Sequence, residues 1–493
     1  MKLCIYTNAP ELGNDIADVA RIFYGQLDYA VYPLNEPAAG DAGLALRVSD
    51  EAAGQTRLVS ATASGAVTGA EQAGYAEESD SLERKRVRKR TVKLAVYAIL
   101  RRETGIQPPW GALTGIRPTR LIYQRMERGD TYEQALGWLR NSFDVTPEKL
   151  RLLKDIIQVQ STLPPPAHNQ VELYVGIPFC VSRCAYCSFA SGEIGSGKLV
   201  RPYVDALLYE IGRMKELLQE KDITVSTVYM GGGTPTSLPA DEMGRLLEAL
   251  RPLADGREFT VEAGRPDTID REKLTLLRAS GVTRISINPQ TFHDETLERI
   301  GRRHTSAQTV KAYELARSLG FDDINMDLIA GLPGEDEGMF RESLDRISEL
   351  KPDSLTVHSL AIKHASAMHL YNALLPDGRM TASMMSEADR AARALSLRPY
   401  YMYRQKYMAG ALENVAYARA GAECVYNVRM MEETGHVLAL GAGAISKRIA
   451  PSGGRIVRAP NVGNIEEYIR RVGEMCERKE ALWNTDLNRS GEN

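Results

Sequence analysis

Past a proline-rich stretch, Ser161-Thr162-Leu163-Pro164-Pro165-Pro166, the chain alternates short β-rich runs with amphipathic segments. The spacing predicts strands at Val171–Val175, Val225–Met230, Glu258–Ala263, Val282–Ile287, Ile324–Ile329 and Ser354–Leu360. Helices are predicted between them, at Pro202–Glu220, Asp241–Leu253, Asp270–Ala279, Ser306–Leu319 and Glu337–Leu350. A helix between two strands returns the chain to its starting edge, so such strands run parallel with the helices outside. Periodicity leaves open whether the sheet stays flat or curls into a barrel. In either arrangement, ligands gather at the C-terminal ends of the strands.

The unusual residues of this chain fall at those ends. Gly176-Ile177-Pro178-Phe179-Cys180-Val181-Ser182-Arg183-Cys184-Ala185-Tyr186-Cys187 follows the first strand, and Gly231-Gly232-Gly233-Thr234-Pro235-Thr236 follows the second. Glu262 ends the third, Asn288-Pro289-Gln290 follows the fourth, and Gly331-Leu332-Pro333-Gly334 follows the fifth. One active face is the reading this coincidence supports.

Cys180, Cys184 and Cys187 are three of only six cysteines. Thiols packed so closely point to a metal ligand set. A structural zinc ion would want a fourth ligand, and no further cysteine or histidine stands nearby in the sequence. Three thiolates do suit a cubane iron–sulfur cluster, leaving one iron open to a substrate or cosubstrate. With only seven histidines, none spaced as a zinc-protease pair, a histidine-built zinc enzyme is not expected.

With these residues in hand, the chain resembles the radical S-adenosylmethionine (SAM) superfamily, most closely the oxygen-independent coproporphyrinogen III oxidase (dehydrogenase)-like family. The resemblance rests on Tyr174 to Cys180, Gly231 to Thr236, Asn288-Pro289-Gln290-Thr291-Phe292, Gly301-Arg302-Arg303-His304-Thr305 and Asp327 to Pro333, all in order. It is strong over about 170 to 370 and fainter through Tyr401, Tyr426-Asn427 and Gly441 to Ser446. The extra N-terminal region is similar to that of a bacterial paralogue in the family. The resemblance implies an α/β fold: a (β/α)6 partial TIM barrel over residues 166–380, with an N-terminal α+β extension (1–165) and a smaller C-terminal α+β domain (381–493). A chain of 493 residues exceeds one ordinary core in any case.

By the same resemblance, Cys180, Cys184 and Cys187 hold a [4Fe-4S] cluster whose open iron chelates SAM. Tyr174, Gly232 and Glu262 match positions lining that SAM, and Tyr174 and Glu262 are the candidate catalytic residues. Tyr186, Gly233, Thr234, Gln290, Arg302, Asp327 and Ala361 match positions around a second SAM. The chemistry fits the residue types: glycine lets backbone approach a ligand, and a carboxylate accepts from an ammonium or a hydroxyl. An aspartate such as Asp327 inside an apolar strand is expensive to bury unless it is paired. The implied activity is radical decarboxylation of coproporphyrinogen III propionates to vinyl groups, with a reductant such as flavodoxin or ferredoxin. A substrate with four carboxylates calls for Arg or Lys in its pocket.

Two departures stand beside the match. Gly176 occupies a position where many members have histidine, and Ser188-Phe189-Ala190-Ser191 lacks a further cysteine that the coproporphyrinogen enzymes carry. A related family of haem chaperones has a His-Asn-x-x-Tyr element where this chain has Tyr426-Asn427-Val428-Arg429-Met430. Haem delivery and radical methyl or methylene transfer are the alternative readings.

The rest of the sequence is plainer. A net charge of -3, with 25% charged and 43% hydrophobic residues, gives no global reason to expect nucleic acid as a partner. No signal-peptide core and no bilayer-length apolar run are visible, so a cytoplasmic, reducing location is expected, where cysteines stay as thiols or ligands. Near the N-terminus, strands are predicted at Leu3–Tyr6, Leu44–Val48 and Arg57–Ser60. An Ala/Gly/Ser-rich stretch (Ala61 to Gly74) and an acidic patch (Glu77, Glu78, Asp80) then lead into a helix from Ser81 with Val87, Thr91, Leu94 and Ala98 on one face. Its basic run (Arg84, Lys85, Arg86, Arg88, Lys89, Arg90) reads as a solvated face. Thr146-Pro147-Glu148 signals another helix start.

In the C-terminal region, helices are predicted at Ser383–Leu397 and Asn464–Glu480. The tyrosines at 400, 401, 403 and 407 read as core or interface rather than a cofactor box, and Cys4, Cys424 and Cys476 as buried or incidental thiols. Gly192-Glu193-Ile194-Gly195-Ser196-Gly197-Lys198-Leu199 lacks the Ser/Thr of a phosphate-binding loop, and Gly441-x-Gly443 lacks the third glycine of a dinucleotide site.

Overall fold

A computed structural model of the chain describes every residue except 26, 38–42, 55, 77–80, 116, 190, 363–365, 367–375, 406–407, 451–455 and 488–493. The acidic patch (Glu77, Glu78, Asp80), Ala190 and Tyr407 therefore lie outside the described residues. The chain divides into two compact units, 1–154 with 404–412, and 155–403 with 413–493.

The second unit is built on one eleven-stranded sheet. All six predicted strands are present, as Gln170–Ile177, Thr224–Gly232, Glu258–Glu262, Arg284–Ser286, Ile324–Ala330 and Ser354–Ser359. They lie side by side in sequence order, each parallel to the next. Their residues are near-continuously apolar because both faces are covered; Val171, Leu173, Val175, Val228, Phe259, Val261, Ile285, Met326 and Val357 are fully buried.

The five predicted helices between them form at Val200–Glu220, Ala240–Ala254, Arg271–Ala279, Ser306–Ser318 and Glu337–Leu350, and a further short helix, Asp294–Arg299, follows the fourth strand. Several start where a side chain caps free backbone N–H groups. Asp270 accepts from the Lys273 amide, Asp336 accepts from the Met339 amide, and Thr305 and Gln308 form a reciprocal capping box.

The first and sixth strands do not pair with each other, which answers what periodicity left open: the barrel is partial. Strands from the C-terminal region flank both of its sides. His436–Leu440 runs parallel to the first strand and continues into Ile445–Ile449 and Ile456–Pro460. On the other side, Asn414–Ala418 pairs antiparallel with the sixth strand, and Arg398–Tyr403 pairs with it in turn.

Helix Val425–Glu432 lies against the strand starts. Glu258 accepts from the Val425 and Tyr426 amides at the helix N-terminus, at 2.8 and 3.1 Å. Arg429 pairs with Glu172 at 2.6 Å, both nearly fully buried. Tyr400 and Tyr401 pack into the core around this helix, as the sequence suggests.

The predicted helix at Ser383–Leu397 forms at Gly378–Ala394, and that at Asn464–Glu480 at Ile465–Asn484. The latter is held by a buried knot: Glu210 accepts from Lys479 Nζ at 2.7 Å, Tyr468 Oη at 2.6 Å, Asn461 Nδ2 at 2.9 Å and the Gly441 amide at 2.8 Å.

The first unit has a five-stranded sheet in the order Asp28–Pro33, Lys2–Thr7, Leu44–Ala53, Thr56–Gly65 and Gly69–Ala76. The stretch 61–74 is therefore the end of one strand and most of the next, joined by a short connection at 66–68, rather than a lead into the helix. Val59, Ala61 and Ala63 alternate inward, so small residues satisfy the period-two pattern without the bulk that usually signals it.

The helix Ser81–Thr104 buries Thr91, Val92, Ala95, Val96, Ile99 and Leu100, while Val87, Leu94 and Ala98 sit at the margin. A neighbouring stripe of the same period is the wetter one here. Its basic run is only partly solvated. Arg84, Lys85 and Arg86 are exposed, but Arg88 bonds Asp50 at 2.5 Å and Glu11 at 2.6 Å, and Lys89 pairs with Asp15. Among the described residues no helix is long and apolar enough to cross a membrane.

Candidate active site at the C-terminal ends of the barrel strands

The first strand ends at Ile177, and the cysteine loop that follows is pinned on both sides. Phe179–Cys180 pairs with Gly192–Glu193, with the Ile194 amide donating to Cys180 O at 2.8 Å. From the second strand, the Gly233 amide donates to Ile177 O and the Thr234 amide to Phe179 O, both at 2.7 Å. This places Thr234 Oγ1 3.6 Å from Cys180 Sγ.

The glycines make that approach possible. A Cβ on Gly233 would lie 2.5 Å from Phe179 O, and one on Gly231 would lie 2.8 Å from Glu262 Cδ. Gly232 adopts φ +110°, a conformation that L side chains rarely take.

The far side of the loop rests on two arginines. Arg265 Nη1 reaches Cys184 Sγ at 3.6 Å. Arg302 donates to Tyr186 Oη at 3.2 Å and to the Gly264 and Asn288 carbonyls at 3.0 and 2.8 Å. Ala185 N bonds Ile300 O, and Tyr186 packs on Leu297, Ile300, Ile329, Leu332, Leu360 and Ile362.

Glu262 accepts a 2.6 Å hydrogen bond from Tyr229 Oη. Burial pushes its carboxyl up to about 7 against the opposing Tyr229 bond, and the charge of Asp327 adds to the rise. Tyr174 stands beside it with its ring stacked on Tyr229 and Tyr426, and burial pushes its phenol well above the usual value. Asp327 also meets a burial penalty, but His358 and Asn325 outweigh it and hold the carboxyl below the ordinary range. Its partners stand 3.6 Å away at His358 Nε2 and 2.7 Å away at Asn325 Nδ2.

Gln290 is bridged to the fifth strand. Its amide donates to Asp327 O at 2.8 Å, and it adopts φ +66°. Ala361 follows the sixth strand, half-buried.

Thirteen sequence-derived candidates thus reach one end of the sheet, in three linked groups: Cys180 with Gly232, Gly233 and Thr234; Cys184 and Cys187 with Tyr186 and Arg302; and Glu262 with Tyr174, next to Gln290, Asp327 and Ala361. Sequence reasoning gave no role to Tyr229, Arg265 or His358, and met Tyr426 and His304 only inside the family motifs. Of these, Arg265 carried a signal, a basic residue between Glu262 and Pro266 at a strand end. Tyr229 sat in an apolar run and carried none.

Among the described residues no three His, Cys, Asp or Glu side chains converge tightly enough to hold a single metal ion. A cubane asks for something different, one thiolate on each of three irons. The donor set fits that demand: burial pushes the Cys187 thiol up, with Cys184 and Cys180 adding to the effect, so three thiolates there need metal charge to offset them. Buried polar atoms without a hydrogen-bond partner, Gln290 Oε1, Asn288 Oδ1 and Arg302 Nε, belong to residues of the same strand-end loops and fit a polar ligand alongside the cluster.

Comparison with known proteins accords with this construction. Residues 174–347 match the radical SAM superfamily. The chain is 40% identical to the oxygen-independent coproporphyrinogen-III oxidase-like protein HemZ of Bacillus subtilis, over 95% of each chain. It is 32% identical to the heme chaperone HemW of the same organism, over 61% of this chain and 76% of that one. The coproporphyrinogen III oxidase HemN of Escherichia coli, a solved radical SAM enzyme, aligns with a TM-score of 0.49 at 25% identity, over 65% of this chain and 72% of that one. The cofactors of the superfamily are a [4Fe-4S] cluster and SAM. The chain belongs to the radical SAM superfamily and, within it, to the oxygen-independent coproporphyrinogen-III oxidase-like family.

Proposed function

We propose that this protein decarboxylates propionate side chains of coproporphyrinogen III to vinyl groups, giving protoporphyrinogen IX. The observation that carries the reading is the cysteine loop at the first strand end, bonded at Tyr186 by Arg302 and set among strand ends that carry Glu262, Gln290 and Asp327, in a chain matched over 95% of its length by a coproporphyrinogen oxidase-like relative.

In this reading Cys180, Cys184 and Cys187 hold the cluster. When bound, cluster and SAM supply a one-electron reductive cleavage that yields a hydrogen-abstracting radical. Gly232 and Gly233 let backbone lie against SAM, and Glu262 accepts from its ammonium or ribose. Tyr174 walls the site and keeps water out. Gln290, Arg302 and Asp327 contact the second polar ligand, a further SAM or the substrate, and Arg302 offers charge complementary to a propionate. Each propionate converted loses one hydrogen atom to that radical, CO2, and one further electron to a one-electron acceptor. The reductant is a flavodoxin- or ferredoxin-class protein, and the setting is cytoplasmic.

Haem delivery is the second reading, favoured by the 32% identity to a heme chaperone. Against it, Tyr426 and its neighbours replace the His-Asn-x-x-Tyr element, and Tyr426 is buried with its ring 4.6 Å from that of Tyr229.

Anaerobic incubation of reconstituted protein with SAM, dithionite and coproporphyrinogen III, followed by porphyrin chromatography, tests the proposal. Vinyl-bearing products are expected. Stoichiometric haem binding with no decarboxylation would instead select the chaperone reading, and an alkylated product would select methyl or methylene transfer.

A further inference from the structure

The loop after the third strand carries a buried arginine that the family motifs quoted above do not include. Arg265 is 3% exposed. A guanidinium has five N–H donors, and each finds an acceptor here. Nε bonds Asp267 Oδ1 at 3.1 Å, and Nη2 bonds Asp267 Oδ2 at 3.1 Å. Nη2 also donates to Ser182 Oγ at 3.0 Å, while Nη1 donates to Ser182 O at 3.4 Å and to Cys184 Sγ at 3.6 Å. Ser182 Oγ in turn donates to Gly301 O at 3.0 Å.

These contacts do two things. They clamp the middle of the cysteine loop, between the first and second thiols, onto the barrel. They also aim a cationic N–H at one of the three sulfurs.

Resting on the assignment of Cys180, Cys184 and Cys187 as cluster ligands, we propose that Arg265 is a positioning residue that sets the cluster's reduction potential through Cys184, with Asp267 as its counterweight. The reduced cluster carries one more negative charge than the oxidised one. An N–H dipole and a positive charge beside a ligand sulfur therefore stabilise the reduced form more and raise the potential. Asp267 screens that charge. The electron transferred comes from the external reductant, and Arg265 itself undergoes no chemistry. Lysine cannot substitute, because one ammonium with three donors cannot span Asp267, Ser182 and Cys184 together.

Potentiometric titration of the reconstituted holoprotein, followed by the EPR signal of the reduced cluster, gives the readout, with iron and sulfide content measured alongside. Arg265→Gln is expected to shift the midpoint to more negative values and Asp267→Asn to more positive ones, with Arg265→Lys displaced from wild type in the direction of Gln. A role confined to holding the loop would alter cluster content without these opposed shifts. Unchanged midpoints in both variants, or shifts of the same sign, overturn the proposal. Should Arg265→Gln take up no cluster, Asp267→Asn decides alone: a raised midpoint supports the proposal and an unchanged one overturns it. Failure of the wild-type protein to bind a cluster would instead overturn the cysteine assignment beneath it.

Discussion

Tyr229 Oη and Glu262 Oε1 stand 2.6 Å apart at the end of the barrel's second and third strands, and the carboxyl is pushed up to about 7 by burial despite that bond. An acid whose folded value lies above its unfolded value of about 4.5 is unpenalised below that value and destabilising above it. The cofactor-free protein should therefore lose stability as pH rises from about 4.5 to 7. Glu262→Gln should flatten that slope. At about 1.4 kcal/mol per unit the effect is bounded at about 3 kcal/mol, lowered by the water that reaches this half-buried group. Thermal unfolding of both proteins across this range checks it, and parallel pH profiles would refute it.

Single Cys180→Ala, Cys184→Ala and Cys187→Ala variants should each lose most iron and visible absorbance after reconstitution, while far-UV circular dichroism stays that of the wild type. Cys4, Cys424 and Cys476 are fully buried elsewhere in the fold, so Cys4→Ala and Cys476→Ala should keep the full iron content. Iron quantitation on the folded variants separates the two sets.

Gly233→Ala tests the cradle. Its new methyl would meet Phe179 O at 2.5 Å and Ile177 O at 2.9 Å, both backbone atoms that hold the cysteine strand. A loss of about 1–3 kcal/mol is expected, the usual range for overpacking, together with weaker SAM binding. Urea unfolding and equilibrium binding measure the two effects, and Gly244→Ala, on a helix with open space around it, serves as the neutral control.

Lys479 and Glu210 are both fully buried and bonded at 2.7 Å. Removing only the cation in Lys479→Met leaves a buried carboxylate exposed to its full desolvation penalty, at a cost of about 3–5 kcal/mol. Adding Glu210→Gln should recover a large part of that loss. A double-mutant cycle by denaturant unfolding checks this, and additive effects would sink it.

In the first unit, Asp50 gathers Arg57, Arg88 and Tyr75. Burial opposes ionisation, but the two arginines outweigh it and hold the carboxyl below its ordinary 3.8. A depressed acid stabilises above its unfolded value and loses that contribution as pH falls through the folded one. Asp50→Asn should thus destabilise at neutral pH and converge toward wild type below about 3.8. Unfolding at pH 7 and pH 3 provides the comparison.

The alternation of strand and helix after Pro166, the cysteine spacing and the placement of odd residues at strand ends were legible in the one-dimensional pattern, because each arises from local rules: periods of two and 3.6, capping, and the reach of a short loop. The six barrel strands and five helices appear within a few residues of their expected bounds. Small residues defeated the same logic in the first unit, where Ala61 and Ala63 turn inward without a hydrophobic run to announce it.

Other features belong to tertiary structure alone. Nothing local foretells that strands near 415 and 438 flank the barrel on opposite sides, since pairing of residues so far apart depends on which edges are left open. Nor could the sequence show that Arg265 would meet Cys184, or Tyr229 would meet Glu262, because such contacts are made by strand register and loop path rather than spacing. The sequence by itself determined the three thiols, the glycines that let them be approached and the strand ends where both are displayed. Only the folded chain decided which charges face those thiols and that carboxylate, because desolvation and Coulomb energy depend on distances that exist after packing is complete.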